Sequence, residues 1–309
     1  MKSASSLNYL SLSEKFRQGL TLGLMHLRRN QAAVFEHFEE FLPEYNGILA
    51  RYSRPPLEES KVLEIGFGAR PFRLVWLHCS KINIYGVDLD RPLLRPSLRN
   101  LLEIARKNGV ERAMKSLIRY FLTDRNQWSQ LASALKTSGR TFDIPHDRLI
   151  VANAQDAGFW KRIGGIDVIY SEDVFEHIPK EQLLGVVENM ASALSPRGIA
   201  VIRPMIFTGI CGGHHLEWYP HTLNESTPRK TEPWEHLRQD RFPASTYLNR
   251  LAMKDYVEIF QQHFKILEQT IVSPGLGSAY LTPEIRNELS NYTEEELLSN
   301  TVRFVLEPV

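Results

Sequence analysis

Cysteine is scarce in this chain. Only Cys79 and Cys211 occur among 309 residues, too few for a disulfide framework or a thiolate zinc site. An excess of either charge is also missing: 37 Lys and Arg stand against 36 Asp and Glu, a formal net charge of +1. No broad field is therefore available to hold a nucleic-acid backbone. No stretch approaches the ~18 uninterrupted apolar residues of a membrane span. The opening MKSASSLNYLSLSEKFRQGL has no long apolar run ahead of a small-residue cleavage pattern. Internal repeats and low-complexity tracts are lacking too. The expectation is a cytoplasmic protein with neither nucleic acid nor membrane as partner; the sequence permits a homodimer. What is present, 43% hydrophobic side chains, suffices for one large domain or two small ones.

Residues 1–58 read as a helical arm or lid. Val34, Phe35, Phe38, Phe41 and Leu42 share one face, and Pro43, then Arg54-Pro55-Pro56, are expected to end the helix. From residue 59 to 309 the texture is that of one α/β domain, short apolar runs alternating with helical patterns. Strands are expected over residues 62–65, 82–87, 148–151, 166–170, 199–202, 265–272 and 302–306. A helix over 181–194 should stop at Ser195-Pro196-Arg197-Gly198. Two excursions exceed a minimal βα connection: a helical insertion at about 91–145 and a His-, Trp- and Pro-rich substrate-loop insertion at about 205–250.

The chemistry is concentrated where Val62-Leu63-Glu64-Ile65 runs into Gly66-Phe67-Gly68-Ala69-Arg70. Glycines at a strand-to-helix turn permit positive φ and let a ligand lie on bare backbone. Twenty-two residues after Gly66 comes Asp88, at the tip of the second strand, where a carboxylate can accept both ribose hydroxyls of an adenosine. A dinucleotide site would ask for G-x-G-x-x-G, but Pro71 holds the third position, and no Tyr is followed four residues later by Lys. A nicotinamide-dependent oxidoreductase is thereby disfavoured.

With LEIGFG, GVDLD, VANAQDAGF, DVIYSEDVFEHI and ALSPRGIAVI in this order, the stretch from Lys61 to Pro204 resembles the class I S-adenosylmethionine-dependent methyltransferases. The resemblance implies a Rossmann-like α/β fold with a seven-stranded sheet, mostly parallel with an antiparallel last strand, and helices on both faces. It implies S-adenosylmethionine as cofactor. Gly66 and Gly68 would line its methionine part, Asp88 its ribose, and Asn153 with Ala154 its adenine edge. Ser171 and Glu172 would face the methyl group, and Glu64 would hold the glycine turn and the amino end of the cofactor through water. Arg70 and Pro71 depart from the small residues of many relatives and alter the lip of that pocket.

Methyl transfer requires alignment and exclusion of water, and a hydroxyl acceptor gains from a base. His214 and His215, in GGHHLEWYPH, are the candidate bases, with Trp218 and Tyr219 as a wall. His214, His215, Glu217 and His221 offer a competing reading as nitrogen and oxygen ligands of a divalent metal, but the expected site holds no metal. Glu176 and His177 read as packing the loop before the 181–194 helix. Arg238, Arg241 and Arg250 read as structural ion pairs rather than as a grip on an anionic acceptor. The strand-four exit lacks the Asn/Asp-Pro-Pro-aromatic run of base-amine methyltransferases and is similar to enzymes acting on oxygen. A small-molecule hydroxyl, on a sugar or secondary metabolite, is the expected acceptor, with carboxylate or amine left open. The alternative from another class is a module that binds the cofactor without turnover.

Overall fold

The structure of the protein, a computed structural model, describes residues 32–223, 229–242, 244 and 246–309, without the side chains of residues 32–37. The expected lid role of residues 1–31 and the apolar face of Val34 and Phe35 lie outside the described residues. Seven strands form one sheet in the order β3-β2-β1-β4-β5-β7-β6. They are β1 (Lys61–Ile65), β2 (Asn83–Asp88), β3 (Leu149–Val151), β4 (Ile166–Glu172), β5 (Leu194–Arg203), β6 (Phe264–Ile271) and β7 (Val302–Pro308). β1 pairs in parallel with β2 and β4, and β2 with β3. β7 runs antiparallel to both β5 and β6. The chain has a Rossmann-like mixed sheet with flanking helices, and its strand order is that of the class I methyltransferase fold.

Two compact units emerge. One has a described part from residue 32 to Tyr170, with Ser192–Ile199; the other comprises Ser171–Ala191 with Ala200–Val309. In the first, Val62, Leu63 and Ile65 of β1 and Ile84 and Val87 of β2 are all buried, the near-continuous apolar reading of a strand covered on both faces. Helix α1 (Ala32–Arg51) packs here through Phe41 and Tyr45, whose rings stack at 4.0 Å and meet Tyr170 at 5.1 and 5.5 Å.

Pro43 lies inside α1 and does not end it, contrary to the sequence reading. An internal proline costs about 3 kcal/mol. Phe41, Tyr45, Ile48 and Leu49 on the same helix are buried, each contributing roughly 1.5–3 kcal/mol, so burial outweighs the break. Pro43 itself is exposed, on the solvent side of the helix.

Helix α2 (Phe72–Cys79) follows the glycine turn. Between β2 and β3 lie α3 (Leu98–Asn108), α4 (Val110–Arg119) and α5 (Arg125–Thr137), with a π-turn at Tyr120–Asp124. Ser97 caps α3 by accepting from the Asn100 N–H at 3.1 Å. Gly109 turns the chain between α3 and α4 at φ 89°. Leu93, Ile104 and Ala113 form the buried side of this hairpin, while Leu98, Leu102, Val110, Met114 and Ile118 face outward. α6 (Ala157–Ile163) is capped by Asp156, which accepts from Gly158.

Helix α7 spans Lys180–Ala193, and β5 begins at once with Leu194. Ser195-Pro196-Arg197-Gly198 is thus strand, not the expected turn. Pairing with β7 begins only at Ala200, and Pro196 and Arg197 are exposed, so the missing proline N–H costs no bond to β7. In the second unit, Met205, Ile210, Cys211, Trp218, Leu223, Trp234 and Leu281 form a buried cluster. No described helix is long and apolar enough to cross a membrane.

Candidate active site

The glycine turn leaves β1 with the Gly66 N–H donating to the Val87 carbonyl of β2 at 2.8 Å. Gly66 and Gly68 have φ of 84° and 69°, the left-handed region that a Cβ penalises. Space at Gly68 is open, with nothing within 4 Å of where a Cβ would stand. Asp88 ends β2, and its Oδ2 accepts the Gly68 N–H at 2.7 Å while Oδ1 accepts the Asp90 N–H at 2.7 Å. A carboxylate offers about four acceptor positions, so these amides do not exhaust it. Burial raises the Asp88 carboxyl to about 6, against the amide of Gly68 and the charge of Arg112, which lower it.

The lip of this turn is tied to the insertion. The Arg70 Nε lies 2.8 Å from Asp124 Oδ1, and the Arg119 Nε 2.9 Å from Asp124 Oδ2. Asp124 is 2% exposed. Arg119 also reaches the Ala69 carbonyl at 3.5 Å, and Arg112 pairs with Asp90. Burial lowers the Arg70 pKa, with Asp124 opposing. Glu64 pairs with Arg73 at 2.9 Å. Past β3, Asn153 Oδ1 accepts from the Gln155 N–H at 2.9 Å, and the Ala154 carbonyl takes the Trp160 Nε1–H at 2.6 Å. Sequence reading anticipated Arg70 at the lip but not Asp124, which lies in a helical stretch with no glycine or turn signal.

In the second unit, Ser171 is buried near the end of β4, and Glu172 pairs with Arg203 at 2.8 Å. Asp173 takes φ 56° and donates its N–H to the Arg203 carbonyl at 3.0 Å. A single turn, Phe175–His177, follows. Asn249 pins it: its Nδ2 donates to the carbonyls of Phe175 at 2.8 Å and Ile178 at 3.1 Å, and its backbone N–H to that of Glu176 at 2.9 Å. Glu176 is 3% exposed, and neither carboxylate oxygen has a hydrogen-bond partner. Burial raises its pKa well above the usual range, with Asp173 adding to the effect; the backbone amides of Glu176 and Met205 offset it in part.

His214 comes to this turn from the loop after β5. Its φ is 54°, and its Nε2 lies 3.9 Å from Glu176 Oε1. Its Nδ1 is 3.4 Å from the Tyr219 hydroxyl. Gly213 lets the loop approach His236, whose ring would stand 2.6 Å from a Cβ there. The His177 and His214 rings meet edge to face at 5.0 Å, and the His177 Nδ1 bonds the Tyr247 carbonyl at 2.9 Å. Burial pushes the imidazole of His214 down to about 3, and the neighbouring histidines add to it. Burial lowers His177 and His215 as well.

The four groups weighed for a metal do not act together. Glu217 accepts from the N–H groups of Lys230 and Thr231 and from the Thr231 hydroxyl. His215 is buried beside His236, their rings 6.2 Å apart. His221 stacks on Tyr219. Trp218 is buried and donates to the Thr231 hydroxyl at 2.8 Å, which makes it core; Tyr219 alone of the expected wall touches His214. Arg238, Arg241 and Arg250 pair with Glu288, Glu235 and Asp240. The residues that do converge are Glu176, His177 and His214, whose ligand atoms all lie within 4.8 Å of one another. Sequence reading treated Glu176 and His177 as packing; the available signal was a charged pair set between Phe175 and Ile178 directly after an apolar strand.

No family model matches this chain, and no curated protein sequence matches it. Among solved structures, an S-adenosylmethionine-dependent methyltransferase from Clostridium acetobutylicum is similar at 11% identity, covering 96% of this chain and 99% of that one, with a TM-score of 0.44. A TehB-like S-adenosylmethionine-dependent methyltransferase from Corynebacterium glutamicum is similar at 13% identity, covering 89% and 99%, with a TM-score of 0.36. Likeness this remote assigns nothing to the chain beyond what its own strand order shows.

Proposed function

We propose that this chain is an S-adenosylmethionine-dependent methyltransferase acting on a hydroxyl of a small molecule, a sugar or secondary metabolite. The observation that carries the cofactor is Asp88, held at the tip of β2 by the N–H of a positive-φ Gly68. The residues present fit the group. Gly68 leaves open the space a Cβ would fill, and Asp88 keeps unused acceptor positions for a pair of ribose hydroxyls. Asn153 and Ala154 would flank the adenine, and Gly66 the methionine part. When bound, the cofactor supplies a methyl on a sulfonium: the O–CH3 bond forms as the S–CH3 bond breaks, and that bond's electron pair returns to sulfur.

The acceptor must shed its proton. We assign that step to the group formed by Glu176, His177 and His214. Of the two histidines singled out in the sequence, His214 is the member of this group, and His215 is not. Buried and water-poor surroundings strengthen electrostatic effects on a reacting oxygen. Calorimetry with S-adenosylmethionine and S-adenosylhomocysteine tests the cofactor reading: binding of both, lost together in Asp88→Ala, is expected. Binding of neither overturns it. Product masses from a panel of hydroxyl-bearing metabolites, each raised by one methyl, test the acceptor class.

A further inference from the structure

Glu176 sets a problem that the protein alone does not solve. It is a carboxylate almost wholly removed from solvent, and neither oxygen has a hydrogen-bond partner. Buried charges ordinarily pair or ligate, and an orphaned buried group calls for an explanation. The backbone amides of Glu176 and Met205 offset part of its buried charge, but no side-chain donor reaches either oxygen. The Tyr247 carbonyl can only accept, so the 2.9 Å contact requires the proton on Nδ1 of His177. The one ring proton of neutral His177 is thereby spent, and its other nitrogen brings a lone pair. The Nε2 of His214, buried 3.9 Å from Glu176 Oε1, has no hydrogen-bond partner either. Its Nδ1 faces the Tyr219 hydroxyl. One ligand atom from each of the three residues thus lies within 4.8 Å of the others, and those of Glu176 and His214 are without a hydrogen-bond partner.

We infer that Glu176, His177 and His214 form a binding site for a divalent first-row transition cation. Two imidazoles and one carboxylate suit zinc, manganese, iron or cobalt rather than magnesium or calcium, which prefer oxygen. Bonds near 2.1 Å place ligand atoms roughly 3–3.4 Å apart, so the 3.9 Å pair closes by a small side-chain movement. Outer contacts match the pattern in which a ligating histidine hands its second nitrogen to a carbonyl or other polar group: Tyr247 serves His177, and Tyr219 faces His214. Three protein ligands leave coordination positions open for an acceptor oxygen.

The site stands on this geometry; its use in methyl transfer rests on the function proposed above. In that use a bound cation would lower the pKa of the acceptor hydroxyl it holds, its proton leaving to water as the oxygen forms its bond to the methyl and the S–CH3 bond breaks toward sulfur.

The test is a cobalt(II) titration of the chelator-stripped, full-length chain, read by visible d–d absorption and metal content. One cobalt ion per chain, displaced by zinc, is expected. Glu176→Gln and His214→Ala should each weaken binding by at least about a hundredfold, while His221→Ala binds as the parent does. Calorimetry with S-adenosylhomocysteine on the same variants shows that they are folded. Absence of the cobalt spectrum, or undiminished binding in Glu176→Gln, overturns the cation site. Cobalt binding without S-adenosylhomocysteine binding overturns the methyltransferase reading and leaves the cation site standing. S-adenosylhomocysteine binding without cobalt binding does the reverse.

Discussion

The Gly66–Asp88 region and the Glu176–His177–His214 group use carboxylates in opposite ways. Asp88 lies 20 positions from Gly68, on the strand paired with β1, and both of its oxygens accept backbone N–H groups at 2.7 Å. Glu176 receives no side-chain donor, and His214 joins it from the loop after β5. A carboxylate met by amides is held ready for neutral hydroxyls. One buried without a side-chain donor is held ready for positive charge. The first arrangement is made by a strand and its neighbour, the second by folding distant segments onto one turn.

Removing the first carboxylate tests the contrast most severely. On the proposed function, Asp88→Ala would delete two charge-assisted hydrogen bonds to ribose, each worth about 1.5–3 kcal/mol. Affinity for S-adenosylhomocysteine should therefore fall by about a hundredfold or more by calorimetry; an unchanged constant would mean that the ribose sits elsewhere.

Next comes the support beneath the turn. Asp124→Ala leaves the guanidiniums of Arg70 and Arg119 facing each other without their shared anion. Breaking a buried pair costs roughly 3–5 kcal/mol; with both arginines partly solvated, about 3 kcal/mol is expected from urea unfolding. Loss of less than ~1 kcal/mol would show that the pairs are only surface contacts.

Asn249→Ala asks the same of the second region. It removes two donors from the Phe175–His177 turn and should cost about 2 kcal/mol. It should also weaken cobalt binding more than S-adenosylhomocysteine binding. Equal weakening of both would erase the distinction between the regions.

The smallest effect is a pH dependence confined to Asp88. Burial raises its carboxyl to about 6, so protonation is complete only below that value, and ribose binding favours the ionised form. Affinity for S-adenosylhomocysteine should be flat above pH ~7 and about tenfold weaker near pH ~5. In Asp88→Asn this dependence should vanish. For folding the sign is opposite: a carboxyl whose native pKa is raised contributes stability below its unfolded pKa and loses it as pH rises through about 6.

Much of the fold could be read from residues 61–306 because βα texture is short-range: strand composition, glycine turns and helix periods each sit within a few residues. Pro43 and Ser195–Gly198 misled for one reason. Proline and glycine have strong local meanings, and both segments are decided by tertiary packing, α1 by its buried aromatic face and early β5 by lying outside the β7 pairing. The meeting of Gly68 with Asp88 was legible since a strand, a turn and the next strand announce it. Glu176 and His177 were not, because nothing near position 176 reports that position 214 will arrive beside it. Crowding of His214, His215, Glu217 and His221 suggested a set of partners that the loop sends in different directions.

The bond from Arg70 to Asp124 carries an engineering consequence. Arg70 reaches Thr123, 53 positions onward, as well as its neighbour Asp124. A protein designer who grafted only LEIGFGAR and its two strands into another scaffold would transplant a hinge without its brace. The smallest portable cassette runs through the π-turn, and shortening the loop between β2 and β3 would slacken a bend that appears, in one dimension, to have nothing to do with it.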